Sequence, residues 1–207
     1  MTELSPLPRS FYEGSALEIA PAMIGTLLVH RVPEGTLAAR IVECEAYRGP
    51  EDLAAHSAGG RRTRRTEVMF GPPGHVYMFR LYGMHWAFNV VVSPEGCPHA
   101  ILVRAVEPVL GADIMAARRG VEPGSVRLTN GPGKLCAAMG LDAATYGADL
   151  CAPKAGALPE IFLAPGAAGA KVCRSARINV DYAGAWARKP WRFYERGNRY
   201  VSVRPRD

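Results

Sequence analysis

The chain has no run of about eighteen or more apolar residues, so the sequence predicts no membrane-spanning helix. Its start, Met1-Thr2-Glu3-Leu4-Ser5-Pro6, lacks a basic segment followed by an apolar one, and no secretory leader is expected. Cys-x-x-Cys pairs are missing too. Cys44, Cys97, Cys136, Cys151 and Cys173 are dispersed and odd in number, which reads as reduced thiols of a cytosolic protein. Without paired ligand spacing a structural zinc site is not expected, and neither metal nor cofactor is predicted. Internal repeats and low-complexity tracts are absent, as is any Ser-His-Asp spacing that would force nucleophilic catalysis. The stretch Asn130-Gly131-Pro132-Gly133-Lys134 resembles a phosphate-cradling loop at a helix start, but it lacks the full G-x-x-x-x-G-K-[ST] pattern of a triphosphate site.

What is present is a 207-residue chain with 48% hydrophobic residues, enough to bury a real core. The expected organisation is a short N-terminal extension, 1–10, followed by a single domain, 11–207. The formal charge is +6 and the pI is about 9.2, an argument for a polyanionic partner that net charge alone leaves open. Distribution sharpens it. Arg61, Arg62, Arg64 and Arg65 form one cluster, and Arg188, Lys189, Arg192, Arg196, Arg199, Arg204 and Arg206 form another. Arginine clusters hold phosphates with forked geometry and gain from counterion release. Nucleic acid is therefore the leading partner class, as DNA or as RNA.

Glycine and proline punctuate the whole length, which predicts many short elements. Ser15 and Glu18 have capping-box spacing for a helix over 15–24, in which Pro21 marks a break or a later start. Strands are expected at 27–31 and 37–46, joined by a turn at Pro33-Glu34-Gly35. A long loop over 47–74 follows, and long loops in compact domains are more often functional than not. Two strands, 75–81 and 85–92, flank Tyr82-Gly83-Met84 as a hairpin. A strand at 100–106, helices at 111–119 and from 133, and late strands at 177–181 and 200–203 complete the reading. The region 143–170 is small-residue rich and gives no clear pattern. The predicted class is α+β: a curved, mainly antiparallel sheet or open barrel, flanked by helices, with a protruding hairpin.

The most informative segment is Glu45-Ala46-Tyr47-Arg48-Gly49-Pro50-Glu51-Asp52, with His56 just beyond it. In a regular strand Ile41, Glu43, Glu45 and Tyr47 share one face, with Glu45 and Tyr47 roughly 6–7 Å apart. A carboxylate on an otherwise apolar strand must be paired or solvated, so Glu45 is either a site residue or part of a wetted face. Tyr82 at the hairpin tip is either a wedge for stacked bases or a side chain folded back on the core. Tyr77, Phe79, Trp86 and Phe88 read mostly as core, with an exposed subset able to stack on a base. Asn89 needs partners if buried. Arg104 interrupts an apolar strand and needs a carboxylate, with Glu45 and Glu107 as candidates.

Taken together these segments resemble the alkyladenine (3-methyladenine) DNA glycosylase family. The resemblance is carried by Ile41 through Asp52, Ala55-His56-Ser57, Met69-Phe70, Tyr82-Gly83-Met84, Leu102 through Pro108, Asn130 through Cys136 and Ala187-Arg188-Lys189-Pro190. It runs from about residue 11 to the C-terminus. It implies a hydrolase that flips damaged purines out of double-stranded DNA and cuts the N-glycosidic bond; because the chain has few lysines to act as a lyase nucleophile, a monofunctional enzyme is expected. A non-catalytic damaged-DNA or minor-groove binder is the alternative. Glu45 then matches the general base, favoured as an anion by the nearby Arg104, which helps to hold the water and the sugar-phosphate. Tyr47 and His56 match residues that sandwich the flipped base, and Asn89 the residue that crowds out guanine's 2-amino group. Tyr82, with Met84, fills the gap left in the duplex. Arg61, Arg62, Arg64, Arg65, Lys134 and Arg188 are candidates for the DNA backbone. Two positions depart from the pattern: Phe79 stands where a stacking tyrosine is usual, and His85 where an aromatic is common. A monomer, cytoplasmic in a bacterium or nuclear in a eukaryote, is expected.

Overall fold

A computed structural model describes residues 4–154, 156, 158–166 and 171–203, so Arg204 and Arg206 of the tail cluster lie outside the described residues. The frame is an eight-stranded antiparallel sheet that does not close into a barrel. Its strands are β1 (Leu27–Val32), β2 (Gly35–Arg48), β3 (Val76–Leu81), β4 (His85–Val92), β5 (His99–Leu110), β6 (Glu160–Ala164), β7 (Val172–Ser175) and β8 (Arg192–Glu195). The main path runs β3-β4-β5-β2-β1-β6, and β8 branches from β2 and carries β7. Helices α1 (Ala16–Met23), α2 (Ala112–Arg119) and α3 (Pro132–Met139) contribute Ala20, Met23, Met115, Leu135 and Met139 to the main core. The strands contribute Cys44, Ala46, Phe88, Val90, Ile101 and Val103 to it.

Local chemistry explains most boundaries. The Glu18 carboxylate accepts both the Ser15 N–H (2.8 Å) and the Ser15 hydroxyl (2.7 Å), closing the start of α1. Pro21 does not break this helix, because Ala16, Ala20 and Met23 are fully buried and packing outweighs one lost backbone bond. Gly111 and Gly120 bracket α2 with left-handed φ of 75° and 62°, and α3 begins on Pro132, whose missing N–H costs nothing at a first helical position. Leu7 N–H donates to Leu163 O at 2.8 Å, tying the start of the described chain to β6.

Three expectations are corrected. The regular alternation predicted for β2 fails: Ile41 joins Cys44 and Ala46 in the main core, not Glu45 and Tyr47 on the opposite face. The cause is a bulge in β2, followed at once by a second in β5. Ile41 faces Val106 and Glu43 faces Ala105, which skips Val42; Cys44 then faces Val103, which skips Arg104. Each extra residue shifts the side-chain phase by one. Second, 177–181 is not a strand. Arg177 donates to Ala46 O and to Asp52, and Asn179 has a left-handed φ of 58°. Third, 200–203 is not a strand, since Ser202 N–H is taken by the Glu43 carboxylate instead of a ladder. The late strands are β6, β7 and β8.

Candidate active site

The face of β2 and β5 turned away from the helical core carries Glu43, Glu45, Tyr47, Leu102 and Arg104. With the hairpin, the 49–57 loop and the 177–182 segment it forms a cleft of about 590 Å³. Tyr47, His56, Phe79, Tyr82, Asn89 and Arg104 all border this cleft, so most of the residues singled out in the sequence meet in one place. Glu45 lies just behind its wall and is fully buried. Its carboxylate accepts the Tyr47 hydroxyl at 2.8 Å and the Ile178 N–H at 2.8 Å, and Arg104 Nη1 stands 3.4 Å away. A carboxylate has about four acceptor positions, and these two hydrogen bonds leave room for a water molecule beside Arg104. Burial, and then the Glu45 charge, push the Tyr47 phenol well above its ordinary range, which keeps that hydroxyl a donor. Arg104 stays charged: burial opposes it, but Glu45 and Glu43 outweigh burial and raise its pKa. Glu107, the other partner considered for Arg104, pairs with Arg40 instead.

His56 is held in the cleft by a 2.7 Å hydrogen bond between its Nδ1 and the Tyr77 hydroxyl. Burial first, then the Arg65 and Arg61 guanidiniums, push its imidazole down to about 4, so the ring is neutral near pH 7. Its ring stands edge-on to Phe79, with centroids 4.6 Å apart. Phe79 and Tyr77 are tilted by 30° with centroids 5.6 Å apart. The Asn89 amide nitrogen donates to Tyr77 O (3.1 Å) and Ala87 O (3.3 Å), so the side-chain oxygen is the end left over.

The loop that carries His56 is fixed by Asp52, a fully buried residue. Arg177 grips its carboxylate with two bonds of 2.5 and 2.8 Å. Breaking such a buried pair typically costs about 3–5 kcal/mol. The same guanidinium lies 4.6 Å from the centre of the Tyr47 ring. Because Asp52 neutralises it, this cation clamps Tyr47 without leaving a net charge behind the wall. Gly49 is required here by contact: a Cβ would come within 1.9 Å of Ser57 Oγ, which donates to Pro98 O.

At the mouth, Tyr82 is 77% and Met84 74% exposed. The tip turns through left-handed φ at both Tyr82 (51°) and Gly83 (72°), the combination of a primed hairpin turn. Tyr82 therefore projects outward. Asn179 Nδ2 donates to its hydroxyl at 3.2 Å.

The sequence matches the methylpurine-DNA glycosylase (MPG) family over residues 10–199. The chain belongs to the methylpurine-DNA glycosylase family. Relatives agree along nearly the whole length. A protein of Methanocella arvoryzae is 44% identical over 198 residues, covering 96% of each chain. One of Bacillus cereus strain B4264 is 46% identical over 208 residues, covering 94% of this chain and 98% of its own. A Desulfitobacterium hafniense protein is 44% identical over 205 residues, 96% of this chain and 98% of its own. All three are named as candidate 3-methyladenine DNA glycosylases.

In this family member the remaining expected cations are spread more widely. Lys134 borders the cleft, where its amine donates to Asn130 Oδ1 at 2.8 Å; burial, then Arg119 and Arg127, lower its pKa. Arg64 and Arg65 line a second groove with Trp86 and Tyr146. Arg62 is held by Glu67 at 2.5 and 2.9 Å. Arg188 is exposed at the end of a 3-10 turn, Asp181–Arg188, and does not border the cleft. Sequence reasoning gave no role to Asp52, Arg177 or Ile178. Asp52 and Arg177 are oppositely charged, but they lie 125 residues apart and nothing local links them. Ile178 acts through its backbone N–H, which its side chain does not announce. Among the described residues no group of three His, Cys, Asp or Glu could hold a metal ion.

Proposed function

We propose that the cleft receives a damaged purine flipped out of duplex DNA and that Glu45 directs a water to the sugar carbon of its N-glycosidic bond. Membership of the methylpurine-DNA glycosylase family makes the chain a DNA glycosylase, a hydrolase of N-glycosyl bonds that serves DNA repair. The reading of the site rests on one observation: a fully buried glutamate, held on three sides, behind a cleft walled by aromatic rings. A base inside a duplex is out of reach, so it must be extruded at a cost of about a few kcal/mol, lower where damage weakens pairing. Tyr82 and Met84 enter the stack and fill the gap.

In the cleft, Tyr47, His56 and Phe79 contact the faces and edge of the base. Electron-rich rings attract the positive charge of an alkylated purine, at about 0.5–2 kcal/mol per contact. A neutral His56 adds no repulsion to this. Asn89 fills the space that a 2-amino group would need. The bond from the sugar to the base nitrogen breaks and its electron pair leaves with the base. Positive charge develops on the sugar, as in other glycoside hydrolyses, and the Glu45 carboxylate stabilises it. Water adds to the carbon, and its proton passes to Glu45. Arg104 orients this water and the adjoining phosphate.

The enzyme is proposed to be monofunctional. A lyase needs an amine at the sugar carbon, and Lys134 is engaged by Asn130. The test is chromatography of bases released from duplexes carrying 3-methyladenine, 7-methylguanine, hypoxanthine or ethenoadenine, with the strand run on a denaturing gel. Release with an uncut abasic strand is the expected result. No release from any lesion, or a strand cut by the enzyme alone, would sink the corresponding part of the proposal.

A further inference from the structure

The geometry points to Glu43, a carboxylate outside the cleft, as the positioning residue that aims Arg104. The inference rests on the roles given above to Glu45 and Arg104. Glu43 is fully buried and does not border the cleft. Its Oε1 accepts Arg104 Nε at 3.1 Å, Arg192 Nε at 2.7 Å and the Ser202 hydroxyl at 2.9 Å. Its Oε2 accepts the Ser202 N–H at 2.6 Å. Two carboxylates, Glu43 and Glu45, thus face two guanidiniums, Arg104 and Arg192, in one buried cluster.

Arg104 needs such a guide because it is the extra residue of a bulge. The ladder pairs Ala105 with Glu43 and Val103 with Cys44 and leaves Arg104 without a cross-strand partner. Bulges re-aim side chains, and the new direction must be fixed by something other than sheet register. A guanidinium is a rigid planar fork. Holding Nε at Glu43 and Nη1 near Glu45 sets its plane, and Nη2 is left as the donor with no protein partner among the described residues. That donor is the one available to a water or phosphate in the cleft. Glu43 also keeps Arg104 from closing fully onto Glu45. The 3.4 Å contact is longer than a charge-assisted hydrogen bond, and the acceptor position needed for water stays open. Arg192 and Ser202 bring the C-terminal segment into this device, and Ser202 lies beyond the matched residues 10–199.

The test is a double-mutant cycle of Glu43→Gln and Arg104→Lys. It is read as the single-turnover rate of base release and as affinity for a duplex carrying an uncleavable abasic analogue. Glu43→Gln keeps the shape and removes the charge. It is expected to slow release roughly 10- to 100-fold, the range for losing a charged hydrogen-bond partner, while affinity changes by less than about threefold. Lysine has no planar fork for Glu43 to orient, so the double variant should be no slower than Arg104→Lys alone. A purely structural Glu43 would give multiplying losses, and that result, or wild-type release by Glu43→Gln, overturns the proposal. If Glu43→Gln does not fold, Ser202→Ala takes its place in the cycle, with a smaller loss and the same lack of additivity expected. Wild-type release by both Glu45→Gln and Arg104→Lys would instead sink the roles on which the inference rests.

Discussion

His56 ties the stability of the site to pH in one direction. Its folded-state pKa of about 4 lies below the ordinary imidazole value of 6.5. Above pH 6.5 the ring is neutral whether the chain is folded or not, and it contributes nothing to the pH dependence. Between 6.5 and 4 the unfolded chain takes up a proton that the folded one refuses, so stability falls as the pH drops through that window. Melting curves at pH 7 and pH 5 are expected to show a smaller loss for His56→Gln than for the wild type; equal losses would contradict the assignment. The residue itself was legible in the sequence, beside Glu45 and Tyr47. Its partner Tyr77 was not, because an alternating aromatic reads as core, and Tyr77 is indeed 1% exposed while its hydroxyl reaches the cleft. Phe79 keeps a ring contact with His56 and brings no hydroxyl. The bond that holds His56 comes from Tyr77 and does not depend on residue 79.

The hairpin was the most readable element. Its strands, its tip and its three connecting residues fall where alternation and Gly83 put them. A tyrosine with left-handed φ at an exposed tip is an uncommon choice, since non-glycine residues rarely adopt it. Tyr82→Ala is expected to weaken binding to damaged duplex about tenfold, in keeping with roughly 1–3 kcal/mol for one stacked base–aromatic contact. Unchanged affinity in a gel-shift titration would remove the wedge. The bulges of β2 and β5 could not be read, because a bulge belongs to two strands and period-two patterning describes one. Branching β8 was missed for a similar reason: Arg192 is buried within it, held by Glu43, Ser175 and the Val203 carbonyl, none of them on β8 itself. Strand β6 sits in the small-residue region that gave no pattern, although its five residues are all buried.

Across the whole molecule the sheet divides the work. One face packs on the helices, and the other holds the cleft. The +6 charge alone left a polyanionic partner open and the arginine clusters decided for it, yet the arginine run does not act as a block: Arg62 is spent on Glu67, whereas Arg64 and Arg65 have no ion-pair partner among the described residues. Replacing Arg64 and Arg65 with Ala should weaken binding to damaged and undamaged duplex alike and flatten the salt dependence by about one unit of slope per lost contact. An unchanged slope would remove these two from the interface. The central claim is narrower, that a buried carboxylate performs the hydrolysis. It is tested most directly by Glu45→Gln, assayed at saturating enzyme on a duplex carrying one releasable lesion. Base release should disappear while affinity for the lesion stays close to that of the wild type; release near the wild-type rate would contradict the account.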